Sequence, residues 1–198
     1  MADYEDIFND KWCISRQLFD ALNTLIKPGD TIVELGSGKG TTVLASKYNV
    51  YSIEHNPKWI NFVPQSHYIY APLKKYEIAE FPHHKMWYDA DIIKQSLPEK
   101  YHLILVDGPT GNIGRGGFLQ FLSVFDPHVP IIFDDIGRAD ENKLAKLVAD
   151  KLGRPLQIMD GYKNFAVIKG DSSVIKGDSK GKNWMKYSLT SEYRLYHN

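Results

Sequence analysis

From position 31 to position 133 the chain alternates two kinds of segment, and this alternation constrains its fold most. Short apolar runs stand at 31–35 (TIVEL), 50–55 (VYSIEH), 67–73 (HYIYAPL), 101–107 (YHLILVD) and 130–135 (PIIFDD). Between them lie stretches with helical spacing, TTVLASKY, NPKWINFV, DADIIKQSL and GGFLQFLSVF. Strand–helix–strand units of this kind make a parallel sheet covered by helices. Strands that are apolar with little alternation fit a sheet buried on both faces. The expectation is an α/β fold: a Rossmann-like, doubly wound, mostly parallel seven-stranded sheet with helices on both faces.

The flanks extend this reading. Ile14, Leu18, Leu22 and Ile26 repeat every four residues, which predicts an amphipathic helix before the first strand. ADENKLAKLVADKL predicts a helix stopped by Gly153 and Pro155, and PLQIMD and NFAVIKG predict a final strand pair turned at GYK. Residues 74–88 are less regular, with MWY as a short strand. Three regions follow: 1–30, a helical segment capping the site; 31–169, the Rossmann-like domain; and 170–198, a flexible loop and tail. VIKGDS occurs at 167–172 and again at 174–179, which reads as a local duplication lengthening a hairpin or tail.

Composition excludes several classes. The 24 basic side chains balance 24 acidic ones, which argues against a general nucleic-acid binder. The single cysteine, Cys13, rules out an intrachain disulfide and reads as a small buried hydrophobe. No run of 18 apolar residues is present and the start lacks a signal-peptide core, so a cytoplasmic protein is expected, with no membrane partner. The histidines show no metal-ligand spacing, and His83–His84 after Pro82 reads as a surface loop.

In open α/β sheets ligands bind beyond the carboxyl ends of the strands. Those ends carry Glu34, Glu54, Asp107, Asp134 and Asp135. After Glu34 comes GSGKG, a strand-to-helix turn with Gly36, Ser37, Gly38 and Gly40. A dinucleotide fingerprint would place its third glycine at position 41, which is Thr41. A carboxylate before the loop suits an amine-bearing ligand better than a pyrophosphate. Glu54, ending the second strand, suits the hydroxyls of a ribose.

This acid-x-Gly-x-Gly-x-Gly loop with a second-strand acid resembles the class I S-adenosylmethionine-dependent methyltransferases, over most of the chain. The resemblance implies S-adenosyl-L-methionine as cofactor. Gly36, Gly38 and Gly40 would pack against its methionine part, with Glu34 near the amine and Glu54 on the ribose. Where that family often has an acid after the third strand, this chain has YAPLKKY, so Asp89, or the backbone and Trp87 of MWYDAD, become the candidate adenine contacts.

Asp107, Asp134 and Asp135 end neighbouring strands, and three converging carboxylates require a cation or a proton. A divalent metal, Mg2+ or another, held by Asp107, Asp134 and Asp135 is one solution. The alternative has Asp107 orient the substrate while the Asp pair caps a helix or pairs with Arg138. The arrangement resembles the catechol-type metal-dependent O-methyltransferases, although Thr110 stands where those have a lysine. VDGPTGNIGRGG with DDIGR also resembles the enzymes that O-methylate glucuronic acid in xylan, through Asp107, Gly108, Pro109, Gly114, Arg115, Asp135, Arg138 and Glu141. Arg115, in a glycine-rich loop, is expected to swing over the site and grip an anionic acceptor. Asp107 and Arg115 are thus the catalytic candidates. The partner expected is a small-molecule acceptor, anionic or sugar-like, with oligomeric state open. A non-catalytic S-adenosylmethionine-binding regulator on the same scaffold is the alternative.

Overall fold

A computed structural model describes residues 5–171. The expectations for 172–198, including the second VIKGDS copy and the tail, lie outside the described residues.

Among the described residues, nine strands and six α-helices follow in order: α1 (Glu5–Phe8), α2 (Arg16–Leu25), β1 (Thr31–Leu35), α3 (Lys39–Ala45), β2 (Asn49–Glu54), β3 (His67–Tyr70), β4 (Leu73–Lys75), β5 (Met86–Tyr88), α4 (Ala90–Ser96), β6 (Leu103–Val106), α5 (Gly117–Gln120), β7 (Ile131–Phe133), α6 (Ala139–Leu152), β8 (Leu156–Met159) and β9 (Phe165–Ile168). Seven strands form one sheet in the order β3-β2-β1-β6-β7-β9-β8. The first five run parallel, while β9 is antiparallel to β7 and β8. This is the Rossmann-like, doubly wound architecture expected, and the strand order reverses at β1.

Both faces are covered because the strands are apolar on both. Ile32, Leu103 and Leu105 point to one side, onto Leu18 and Leu22 of α2 and Val43 and Leu44 of α3. Val33, Ile104 and Val106 point to the other, onto Ile93 of α4, Phe118 of α5 and Leu144 of α6. Burial of these side chains stabilises the fold by about 25 cal/mol per Å² of apolar surface removed from water.

Local chemistry sets the helix ends. Ser15 caps α2 by accepting the Leu18 N–H at 3.1 Å, so Ile14 stands just outside the helix. Gly153 ends α6 at φ 62°, where a left-handed residue lets the last carbonyls be satisfied. The β8–β9 hairpin turns at 160–164, as predicted.

Two predicted helices differ. Residues 57–63 form turns instead. Asn61 is left-handed at φ 60°, the Asn56 Oδ1 takes the Lys58 N–H in a local turn, and the Tyr68 hydroxyl takes the Val63 N–H. These side-chain partners outcompete an i→i−4 ladder over so short a span. Residues 116–125 break at Phe121 (φ −102°) into α5 and a 3-10 turn at Leu122–Val124, which keeps Phe118, Leu122 and Phe125 all buried.

Candidate cofactor cleft

The carboxyl ends of β1, β2, β6 and β7 open into one cleft of about 750 Å³. That is within the usual range for a small-ligand site. Glu34, Gly36, Ser37, Gly38, Gly40, Glu54, Asp107, Arg115 and Asp135 all line it. The tertiary fold thus gathers acids and glycines that lie far apart along the chain.

The glycine loop is shaped by close approach. Gly36 has φ +97°, and a Cβ there would lie 3.3 Å from the Gly108 backbone. A Cβ on Gly40 would come within 3.1 Å of the Ile14 nitrogen, so the loop lies directly beneath the N-terminal segment. Lys11 and Trp12 of that segment reach the cleft wall. Lys163, in the β8–β9 turn, straps the segment down by donating to the carbonyls of Lys11 (2.9 Å) and Cys13 (2.7 Å).

Glu34 is 2% exposed, and its Oε2 accepts the hydroxyls of Thr41 and Ser52, each at 2.8 Å. The parallel register puts Ser52 directly beside Glu34. Burial pushes the Glu34 carboxyl up to about 8, against the pull of those two hydroxyls. Glu54 accepts the Ser37 N–H on Oε2 (3.0 Å) and the N–H groups of His55 and Asn56 on Oε1 (2.7 Å each). With Oε1 doubly engaged, Oε2 keeps one lone pair for a ligand.

Asp107 and Asp135 meet at Arg115. The Arg115 Nη2 donates to Asp107 Oδ1 (3.1 Å), Asp135 Oδ2 (3.0 Å) and the Asp107 carbonyl (2.6 Å). Its Nη1 donates to the carbonyls of Asp134 (2.9 Å) and Val106 (3.5 Å), and its Nε to that of Pro109 (3.3 Å). This corrects the expectation of a mobile arginine. Arg115 is 3% exposed, and its neighbouring glycines serve packing rather than motion. A Cβ on Gly114 would lie 2.1 Å from the His84 ring, and one on Gly116 would lie 2.7 Å from Phe81. Burial acts to lower the guanidinium pKa, but Asp107, Asp135 and Asp134 outweigh it and the net shift is upward.

Asp134 faces inward, 1% exposed, and its Oδ1 accepts the Asp135 N–H at 2.9 Å. That bond supports Asp135 at φ 61°, a conformation that short polar side chains tolerate. The twist lets Asp135 Oδ2 reach Arg138 (3.1 Å) as well as Arg115. Burial raises the Asp107 carboxyl to about 7, with Asp134 adding to it and Arg115 opposing. Asp134 is raised by burial and by Asp135.

Other candidates lie elsewhere. Asp89 does not line the cleft: it caps α4 through the Asp91 N–H (3.0 Å) and faces Lys74. Trp87 is a core residue stacked on Phe121. His84 is buried rather than on a surface loop, and its Nδ1 accepts the Gly116 N–H at 3.2 Å. His83 and His84 both reach Asp140, at 2.7 and 3.2 Å. Tyr88 was not singled out from sequence. Its ring lines the cleft, and its buried hydroxyl has no hydrogen-bond partner. Thr41, Ser52 and Lys163 were equally hidden, since only pairing and loop packing bring them to the site.

No family model and no curated protein matches the chain by sequence. Solved structures match its fold. A precorrin-8w decarboxylase of Methanobacterium thermoautotrophicum is 17% identical, covering 79% of this chain and 91% of its own, at a TM-score of 0.54. A methyltransferase-like protein of Silicibacter pomeroyi is 17% identical, covering 82% and 90%, at 0.53. The MycE methyltransferase of the mycinamycin pathway, in complex with Mg, S-adenosylhomocysteine and mycinamycin VI, is 11% identical. It covers 85% of this chain at a TM-score of 0.54, and the chain spans 52% of its length. The chain has the fold of the class I S-adenosylmethionine-dependent methyltransferases, and no described helix is long and apolar enough to cross a membrane.

Proposed function

We propose that this protein is an S-adenosylmethionine-dependent methyltransferase that O-methylates a small acceptor, anionic or sugar-like. One observation carries the reading. Two buried acids, Glu34 and Glu54, a glycine turn, and a carboxyl held near neutrality, Asp107, share one cleft at the sheet's switch point. The donor set fits the cofactor. Glu34 borders the cleft beside the glycine turn, where a ligand ammonium would compete for the proton it holds, and Glu54 keeps a lone pair for a ribose hydroxyl. When bound, S-adenosylmethionine supplies a methyl group already activated by the sulfonium.

The chain's own residues then have to align an acceptor oxygen and remove its proton. Asp107 suits the second task. Its side chain is 28% exposed to the cleft, and a carboxyl raised to about 7 is a stronger base than an ordinary aspartate yet still ionised in part at neutral pH. Lys11 and Arg138 line the same cleft, a setting that favours an acceptor bearing negative charge. Trp12 on the rim offers a flat apolar face for a sugar ring.

Calorimetric titration of the full chain with S-adenosylhomocysteine tests the cofactor half. Micromolar binding with one site per chain, weakened at least tenfold in Glu54→Ala, is the expected outcome. No heat and no thermal stabilisation at millimolar ligand would sink the reading.

A further inference from the structure

Three carboxylates that offer ligand oxygens within 4.8 Å of one another form a grouping that could hold a metal ion. Here the cation among them is already part of the chain. We propose that Arg115 is the built-in cation of this site, its guanidinium standing in for a divalent metal between Asp107 and Asp135. Asp107 and Asp135 are then held in place at the cleft without a metal.

The geometry carries this in three ways. First, Arg115 Nη2 lies between the two strand ends and takes an oxygen from each, Asp107 Oδ1 at 3.1 Å and Asp135 Oδ2 at 3.0 Å. A bridging cation would do the same. Second, the guanidinium cannot step aside at small cost. Its five N–H donors are spread over those two carboxylates and the carbonyls of Val106, Asp107, Pro109 and Asp134. Four carbonyl oxygens aimed at N–H donors at 2.6–3.5 Å make a guanidinium-shaped seat at the ends of β6 and β7. Third, the carboxylates already have positive charge beside them. Arg115 pairs with Asp107 and Asp135, and the half-exposed Arg138 also bonds Asp135 Oδ2 at 3.1 Å. A divalent ion added there would stand beside the buried Arg115 charge, where repulsion is poorly screened.

The packing around Arg115 makes it permanent. His84, fixed by the Gly116 N–H and by Asp140, presses on Gly114 on one side of Arg115 and on Gly116 on the other. The loop therefore locks the arginine inward, and the acceptor meets a preformed site.

The role of Arg115 is tested by Mn2+ binding, read from the spin-resonance signal of free Mn2+ with the full-length chain. This readout needs neither cofactor nor acceptor, so it stands whether or not the methyl-transfer reading survives. With His83→Ala as the background, which takes apart the other grouping that could hold an ion (His83, His84 and Asp140), the chain that keeps Arg115 is expected to leave the signal unchanged up to millimolar Mn2+. Arg115→Met, which empties the seat, is expected to gain a single Mn2+ site that is lost again when Asp135→Asn is added. Arg115→Lys keeps the charge and remains silent, and Arg115→Gln, which opens the seat with a neutral polar side chain, takes the place of Arg115→Met if that variant does not fold. A wild-type chain that binds one Mn2+, with binding abolished by Asp107→Asn, overturns the proposal. A folded Arg115→Met that gains no site also overturns it, because the seat would then not be interchangeable with a metal site.

Discussion

Asp107 and Arg115 face each other across 3.1 Å, yet their parts differ. Asp107 keeps one edge open to the cleft, whereas Arg115 gives every donor to the protein. A base acts when deprotonated, so with the Asp107 carboxyl raised to about 7 the rate of methyl transfer is expected to climb as pH rises through that value and level off above it. Asp107→Asn removes the base, and a loss of roughly 10²–10⁴-fold in kcat, with the rise in the pH profile gone, is the outcome to measure. At this scale sequence reading singled out residues that the fold does bring to one cleft, but not their poses. GNIGRGG reads as a pliable lid because glycine gives freedom. Glycine equally allows close approach, and here the second property decides, with His84 and Phe81 packed where a Cβ would stand.

At the scale of elements, helix ends follow local rules. Ser15 supplies the cap of α2 from a side chain 3% exposed, and Leu18 and Leu22 behind it are fully buried. Ser15→Ala should cost about 1 kcal/mol, seen as a lower midpoint in urea with an unchanged slope. Because the segment that roofs the glycine loop runs into α2, the same change should weaken cofactor binding only slightly. A large loss of binding would mean that Ser15 acts on the cleft itself. The strands of the seven-stranded sheet were legible because most are short apolar runs bounded by turn residues, whereas β4, Leu73–Lys75, carries two lysines and was not read. The helix expected at 57–63 was not formed, because Asn56 and Tyr68 offer the backbone nearer partners than a helix would. Tyr68 enters only through the β2–β3 pairing, which a local pattern does not contain.

Across the whole molecule, the buried acids set how stability varies with pH. Glu34 rises from an ordinary 4.5 to about 8 and Asp107 from 3.8 to about 7, so the folded state holds protons that the unfolded state has released. Their contribution is complete below the unfolded values and is lost as pH climbs through the folded ones. Without ligand, Tm should therefore fall between pH 4.5 and 8, and Glu34→Gln should flatten that fall. A loss of about 2 kcal/mol would move Tm by roughly 4–8 °C in a chain of this size, well within reach of calorimetry. A Glu34→Gln slope equal to that of the wild type would contradict the assignment.

Local sequence specifies the fold class, most of the strands and helices, and the strand-end positions of Glu34, Glu54, Asp107, Asp134 and Asp135. Those follow from hydrophobic periodicity and turn chemistry, which act over a few residues and are written locally. Only the tertiary structure decided which of these groups share the cleft. It left Asp89 outside the cleft and brought Tyr88, Thr41, Ser52 and Lys163 to the site. It also placed the Arg115 guanidinium in the gap that the carboxylates had made. The reason is physical: electrostatic and hydrogen-bond partners are set by distance in space. In a parallel sheet, residues many positions apart come within 3 Å only once the crossovers have closed.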